Sequence, residues 1–305
     1  MNRIRMPEVG TVLAAFAIVA ALPWLAGDYL VSFAFSLMMW LALTQSWVVF
    51  SGLTGYISLG HAVFFGAGAY VMVLCWGTIS FWLAIPLAGA VAGSLALLLG
   101  YPCLRVRGPY FVILTFGLAE LIKFVVVNIE SELGQFSRVV FGGPGIDQLF
   151  HVMVGLAAIA TLMTYVVRRS RAGVGLRAIR ENEEAAETIG IAVARYKAFA
   201  FAASAVIPGM VGAVMVLRTT YFEPLQVFSP ITSFTIVSIA IIGGGDDAPG
   251  PVYGALFLVV LQELLWANWP QLYMIILGLM LVFFVLWSPD GVHGWVRKWQ
   301  MRGQK

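Results

Sequence analysis

The sequence predicts an all-α, polytopic integral membrane protein, with about ten (eight to ten) transmembrane helices in a single domain over residues 1–305. Three observations lead there. Hydrophobic residues make up 61% of the 305 and charged residues only 11%, where a soluble globular domain carries about a quarter, and the mean hydropathy is +0.91. The apolar residues fall in long blocks, not in alternation or narrow stripes, as in helices buried on all sides by lipid or by one another. Lys and Arg collect in alternate connecting segments, the pattern of a chain that crosses repeatedly.

A span takes about 20 apolar residues. The first, 9–27, follows the basic start MNRIR, which also reads as a signal peptide; the many spans after it favour a retained helix. The second is 29–50. The third, 56–76, is glycine-rich at its start. Then come 81–101, 109–127, 150–167 and 196–217, followed by a short eighth, 231–244, which ends in GGG. The ninth and tenth are 252–268 and 271–287. The third and eighth have the marks of re-entrant or broken helices, which a membrane tolerates where protein or a water-lined cavity covers the backbone.

Threaded from a cytoplasmic N-terminus, these spans place Arg3 and Arg5, Arg105 and Arg107, the cluster Arg168, Arg169, Arg171, Arg177 and Arg180, and Arg297, Lys298, Arg302 and Lys305 on the cytoplasmic side. The opposite side receives Asp28, NIESELGQFSRVVFGGPGIDQ and RTTYFEPLQVFSP, with Arg138 and Arg218 as its only basic residues. Both termini are therefore expected in the cytoplasm, and eight spans would satisfy the same charge pattern. Cys75 and Cys103 lie in or beside apolar blocks without metal-like spacing and read as small hydrophobic residues.

The long cytoplasmic loop, 168–195, contains RAIRENEEAAETIGIA, with Arg177, Arg180, Glu181, Glu183, Glu184 and Glu187 in eleven residues. Its residues are good helix formers, and Arg177–Glu181 and Arg180–Glu184 have i,i+4 spacing. Such a helix serves either as a solvated connector or as a handle for a soluble partner.

Glu184-Ala185-Ala186, three residues, then Gly190 resembles the EAA-xxx-G loop of ABC-importer permeases. More of the chain resembles one subfamily, the LivM-like permeases of branched-chain amino acid importers. The matching stretches are GLTGYISLGHAVFFGAGAY (52–70), GPYFVILTFGLAELIK (108–123), GGPGI (142–146), the long run from Arg171 to Val214, and GGGDDAPGPVYGA (243–255). They cover most of residues 40–265. The I-x-L-P ending of the broader EAA loop is replaced here by AFAFAAS, as suits the LivM-like branch, and Asp246-Asp247 departs from the small residues expected in the late turn.

The resemblance implies a heteromeric importer in the bacterial cytoplasmic (inner) membrane. A periplasmic substrate-binding protein delivers the ligand, this chain pairs with a second related permease subunit, and two cytoplasmic ATPase subunits drive the cycle. It also implies an ATPase-coupling helix built from Arg177, Arg180, Glu181, Glu183, Glu184, Ala185, Ala186 and Gly190. No cofactor is expected on this chain, since ATP and Mg belong to the ATPase subunits. The sequence has no G-x-x-x-x-G-K-[ST] phosphate loop, and GGGDDA lacks the βαβ context of a dinucleotide site. The lipid bilayer is the remaining expected partner, with no nucleic acid and no metal. No nucleophile, base and acid set suggests an enzyme.

The candidate translocation path comprises Gly52, Gly55, Tyr56, Ser58, Gly60, His61, Tyr110, Thr115 and Glu120. Intramembrane ionisable groups raise a functional question by default. Glu120 and Lys123 lie one turn apart and can pair, while Glu263 has no partner in its own helix and calls for a cross-helix hydrogen bond or proton coupling. His61 has no second ligand nearby for a metal and reads as a hydrogen-bonded core histidine. The glycines of 52–68 and Gly89-x-x-x-Gly93 permit close helix packing; the first set also permits a broken helix whose amides face a substrate carboxylate.

The expected function is that of a non-enzymatic permease subunit for branched-chain or similar apolar amino acids, working by alternating access. The same machine carrying urea, short amides or aromatic acids is the nearer alternative. A proton-coupled secondary transporter is the alternative of another class, and it leaves the charged loop without a purpose.

Overall fold

The computed structural model describes residues 6–135, 137–244, 249–268, 272–287 and 291. Apart from a two-stranded ribbon, the described elements are helical. In order they are α1 (Met6–Ala20), α2 (Leu22–Leu25), α3 (Asp28–Trp47) running into a π-helical turn at Val48–Gly52, α4 (His61–Cys75), α5 (Phe81–Cys103) and α6 (Pro109–Glu132). After strand β1 (Arg138–Val139) come α7 (Ile146–Arg169), α8 (Arg171–Glu181), α9 (Glu183–Thr188) and α10 (Val193–Thr219). Strand β2 (Tyr221–Phe222), α11 (Pro224–Val227), α12 (Pro230–Gly243), α13 (Gly250–Asn268) and α14 (Tyr273–Trp287) complete the order.

Among the described residues, six stretches are long and apolar enough to cross a membrane: Asp28–Gly52, Phe81–Cys103, Pro109–Glu132, Ile146–Arg169, Val193–Thr219 and Pro224–Gly243. The described residues therefore do not confirm the expected count of about ten (eight to ten), for local reasons. The first expected span is interrupted at Ala21. The third loses residues 56–60 to irregular backbone, leaving α4 only 15 residues long. The ninth and tenth survive as the apolar helices α13 and α14. The basic residues of both termini and Asp246-Asp247 lie outside the described residues.

Helix α10 is central, packed against α3, α4, α5 and α7. Small residues make this possible. A Cβ on Gly68 would sit 1.8 Å from the Gly209 carbonyl oxygen, and one on Gly212 would sit 1.9 Å from that of Phe65, so α4 and α10 touch backbone to backbone. Gly89 and Gly93 of α5 face Met210 and Val206 of the same helix. The late glycine turn works likewise: Gly243, Gly250 and Gly254 let α12 and α13 meet at their backbones.

The connecting segments gather at two ends. At one, residues 52–60, Arg107 and the α8–α9 segment are in contact. At the other, β1 and β2 pair antiparallel, Arg138 opposite Phe222, and the Trp76 indole donates to the Phe141 carbonyl at 2.9 Å. This is the grouping that the charge distribution predicts. Near the ribbon, the Glu130 carboxylate at the end of α6 takes both the Nε and a terminal nitrogen of Arg138 at 2.8 Å and the Tyr70 hydroxyl at 2.7 Å. Such a two-pronged bond fixes the ribbon's position on the helices.

Candidate functional site

The charged loop folds as two helices rather than the single one expected around 176–190. Ser170 caps α8, accepting from the Gly173 amide at 3.2 Å. A Cβ on Gly173 would meet the Val167 carbonyl oxygen at 2.2 Å, so glycine is needed for the sharp turn out of α7. The chain breaks at Asn182, whose backbone is extended and whose Oδ1 accepts from the amides of Glu184 and Ala185, each at 3.0 Å. An N-terminus capped in this way, with Glu183 and Glu184 in its first turn, suits the positive end of the helix dipole. Gly190, at φ 88, ends α9. Its amide bonds to Glu187 and that of Ile191 to Ala186, the paired closure of a left-handed glycine cap. The glycine of the EAA-xxx-G pattern thus sets where the helix stops.

Because of the break, Arg180 and Glu184 stand on different helices. Arg180 donates to the Gly52 carbonyl at 2.9 Å, and Glu184 lies 3.4 Å from Arg107. Arg177 donates to the carbonyl of Arg168. Helix α9 buries Ala186 and leaves Glu184, Ala185, Glu187 and Thr188 open, with Ile189 beside them 74% exposed. Glu181 is exposed at the end of α8.

Glu183 points the other way. Its carboxylate receives Lys197 Nζ at 2.8 Å and the Tyr56 hydroxyl at 2.5 Å, with Arg107 Nε at 3.5 Å. Lys197 is only 2% exposed and sits 4.5 Å from the Tyr56 ring centroid. Burial pushes the Glu183 carboxyl up, but the bonds from Lys197 and Tyr56 and the charges of Lys197 and Arg107 outweigh it, holding the group below its ordinary range. Burial first, and then the bond to Glu183, drives the Tyr56 phenol well above its ordinary value. At neutral pH the cluster is a carboxylate held between an ammonium and an intact phenol.

Tyr56 belongs to the irregular segment between the π-helical turn and α4. Gly55 there has φ 76, and a Cβ on it would lie 3.1 Å from Arg180 Cγ, so both backbone and space require glycine. The helix is broken, yet its amides are used within the chain. Those of Ser58, Leu59, Gly60 and Ala62 bond to the hydroxyls of Ser51, Thr115, Ser58 and Ser233. Trp47 donates to the Ser58 carbonyl at 2.9 Å.

His61 is fully buried, with Nδ1 3.2 Å from Ser58 Oγ and Nε2 3.3 Å from Ser204 Oγ. Ser204 gives its proton to the Phe201 carbonyl, so Nε2 is the donor and Nδ1 accepts from Ser58; this tautomer is assigned from the network. The network links α4 to the centre of α10.

The expected path residues therefore divide. Gly52, Gly55, Tyr56, Ser58, Gly60, His61 and Thr115 come together around the broken segment. Tyr110 is 72% exposed at the start of α6, and Glu120 pairs with Lys123 on the same helix; neither joins them. Glu263 accepts from Tyr29 across helices at 2.8 Å. Sequence reasoning used Arg107 and Arg138 only to orient the chain, and it passed over Lys197 and the pairing of Arg138 with Glu130. A lone lysine beside AFAFAAS was the available signal for Lys197, since a cation at a span's edge calls for a partner.

The family described as branched-chain amino acid transport system, permease component, matches residues 29–285 of the chain. Similar proteins include the high-affinity branched-chain amino acid transport system permease protein LivM of Salmonella typhimurium and that of Escherichia coli. Each is 27% identical over 314 residues, covering 92% of this chain and 73% of the relative. No solved structure matches.

Proposed function

The chain belongs to the branched-chain amino acid transport permease family, and from that premise we propose that it forms one half of the path of an ATP-driven importer, coupled through α9 to separate ATPase subunits. The end holding α8, α9 and Arg107 faces the cytoplasm, because basic residues collect there. The multi-pass chain sits in the bacterial inner membrane with both termini inside. Its partners are a second, related permease, two ATPase subunits and a periplasmic binding protein, and its cargo is a branched-chain or similarly apolar amino acid.

The observation that carries this reading is the two-faced placement of α9. Its outer face is open to a soluble partner, while Glu183 on its inner side grips the broken segment and α10 at once. A push on α9 reaches Tyr56 through Glu183 and the helix core through Lys197, while the adjoining α8 holds the Gly52 carbonyl through Arg180. Tyr56, Ser58 and His61 then connect that segment to Ser204 midway along α10. Alternating access needs such a two-state element biased from one site. Proton coupling finds less support, since Glu120 is paired with Lys123 and Glu263 is exposed beside Tyr29.

The test is purification in gentle detergent from the native membrane, followed by reconstitution with the binding protein. Co-purified ATPase subunits and a second permease, together with ATP-dependent uptake of labelled leucine, are expected. Recovery of the chain alone while those partners are expressed, or uptake of urea but not leucine, would contradict the proposal.

A further inference from the structure

A cavity of about 240 Å³ lies at the ribbon end of the molecule, between α3, α4, α10, α11 and α12. Its buried lining is apolar, with Leu43, Phe65 and Val216 beside the partly buried Met215, whereas Glu223, Gln226 and Thr232 line it from less buried positions and form its rim. Glu223 follows β2 directly and is half-buried. Among the described residues its carboxylate meets no cation and no hydrogen-bond donor, and the side chains of Gln226 and Thr232 are likewise unengaged. Of the described glutamates, Glu120, Glu130, Glu183, Glu184 and Glu263 have partners, and Glu132, Glu181 and Glu187, which have none, are exposed, whereas Glu223 is not.

We infer that this cavity is a transient receiving site for a free α-amino acid with an apolar side chain, Glu223 accepting the ammonium group. The inference rests on the importer reading above and specifies where the cargo first meets this chain. The volume is below the ~300–1,000 Å³ of drug-sized ligands, so it admits one small molecule and not a peptide. The rim is matched to both charged ends of a zwitterion. A half-buried carboxylate makes strong charge-assisted bonds to an ammonium, and the Gln226 amide and Thr232 hydroxyl supply donors for the ligand's carboxylate. The side chain then points into the apolar floor, whose burial is favourable without directional demands. Urea offers neither a cation for Glu223 nor an apolar group for the floor.

The experiment uses the complete reconstituted importer, with saturating leucine-loaded binding protein, and compares Glu223→Gln with Glu223→Asp. Glu223→Gln is expected to lower the leucine uptake rate about tenfold, as loss of a charge-assisted bond implies, with melting temperature and subunit composition unchanged and Glu223→Asp restoring much of the rate. Uptake by Glu223→Gln at the wild-type rate would overturn the inference, as would Glu223→Asp performing no better than Glu223→Gln. Loss of the second permease from the Glu223→Gln complex would also overturn it, assigning the carboxylate to a subunit contact. A wild-type importer that moves no amino acid would sink the importer reading itself, which separates the two failures.

Discussion

Tyr56 and Glu183 stand 127 positions apart in sequence and 2.5 Å apart in space, the phenol donating to the carboxylate. This contact joins the exposed helix α9 to the segment where α3 and α4 are interrupted. With Lys197 on the second carboxylate oxygen, Glu183 ties together three parts of the chain that could otherwise move separately.

Removing the carboxylate should therefore do more than loosen a loop. Glu183→Ala leaves Lys197 buried without its counter-charge, and breaking a buried pair in this way costs about 3–5 kcal/mol. Tyr56→Phe removes one hydrogen bond and should cost only about 1 kcal/mol. Thermal unfolding in detergent ranks the two. The double variant Glu183→Gln with Lys197→Met should lose less than the sum of its single changes, because the sites share one interaction.

The cluster also sets a pH window. Glu183 titrates below its ordinary 4.5 when folded, so its contribution is complete above pH 4.5 and is lost as pH falls through the lower folded value. Tyr56 is shifted upward from 10.0, so its contribution is complete below pH 10 and is lost as pH rises through the folded value. Helix α9 should thus stay docked throughout the neutral range and release in acid. Hydrogen exchange of the Ala186–Thr188 amides measures this, and the acid-side release should vanish in Glu183→Gln.

Gly190 offers a test confined to the end of α9. At φ 88 an alanine pays the steric penalty of the left-handed region, about 1–2 kcal/mol, whereas asparagine tolerates that region better. Gly190→Ala should fray the last turn and lower uptake, and Gly190→Asn should do so less. Amide exchange at Gly190 and Ile191 distinguishes them.

The α4–α10 crossing should be far less forgiving. A leucine at Gly212 must displace the Phe65 backbone, which lies 1.9 Å from where its Cβ would be. Overpacking against backbone of this kind is expected to cost roughly 3 kcal/mol or more. Gly212→Leu should fail to give a monodisperse protein in detergent, while Gly117→Leu on α6, where nothing lies within 4 Å, should behave as wild type.

Much of this architecture was legible in the sequence because it follows from one-dimensional signals. Long apolar blocks gave the helices, glycine density located the break before His61, and alternating basic loops grouped the connecting segments as the structure groups them. The number of full spans was not legible in this way. Hydropathy does not register the irregular backbone at 55–60, because the residues around it are apolar enough to read as one continuous span. Glu184 and Gly190 were legible as a motif, and the cap geometry explains their spacing. Lys197, Arg107 and the Glu130–Arg138 pair were not, because each acquires meaning only from a partner on another element. Asn182 split the expected helix for a subtler reason. Its neighbours all favour helix, and only its side chain's competition for the amides of Glu184 and Ala185 ends one helix and begins the next.

The central claim is that the open face of α9 receives force from an ATPase, and Glu184→Arg tests it most directly. Glu184 is 82% exposed and makes only a long contact to Arg107, so the substitution should change stability by no more than about 0.5 kcal/mol. The measurement is ATP hydrolysis and leucine uptake, side by side, in proteoliposomes holding the complete importer. The account predicts hydrolysis that no longer responds to loaded binding protein and uptake reduced at least tenfold, as expected when a charge is reversed at an interface. Uptake and stimulated hydrolysis at wild-type levels would show that α9 is not where the force enters.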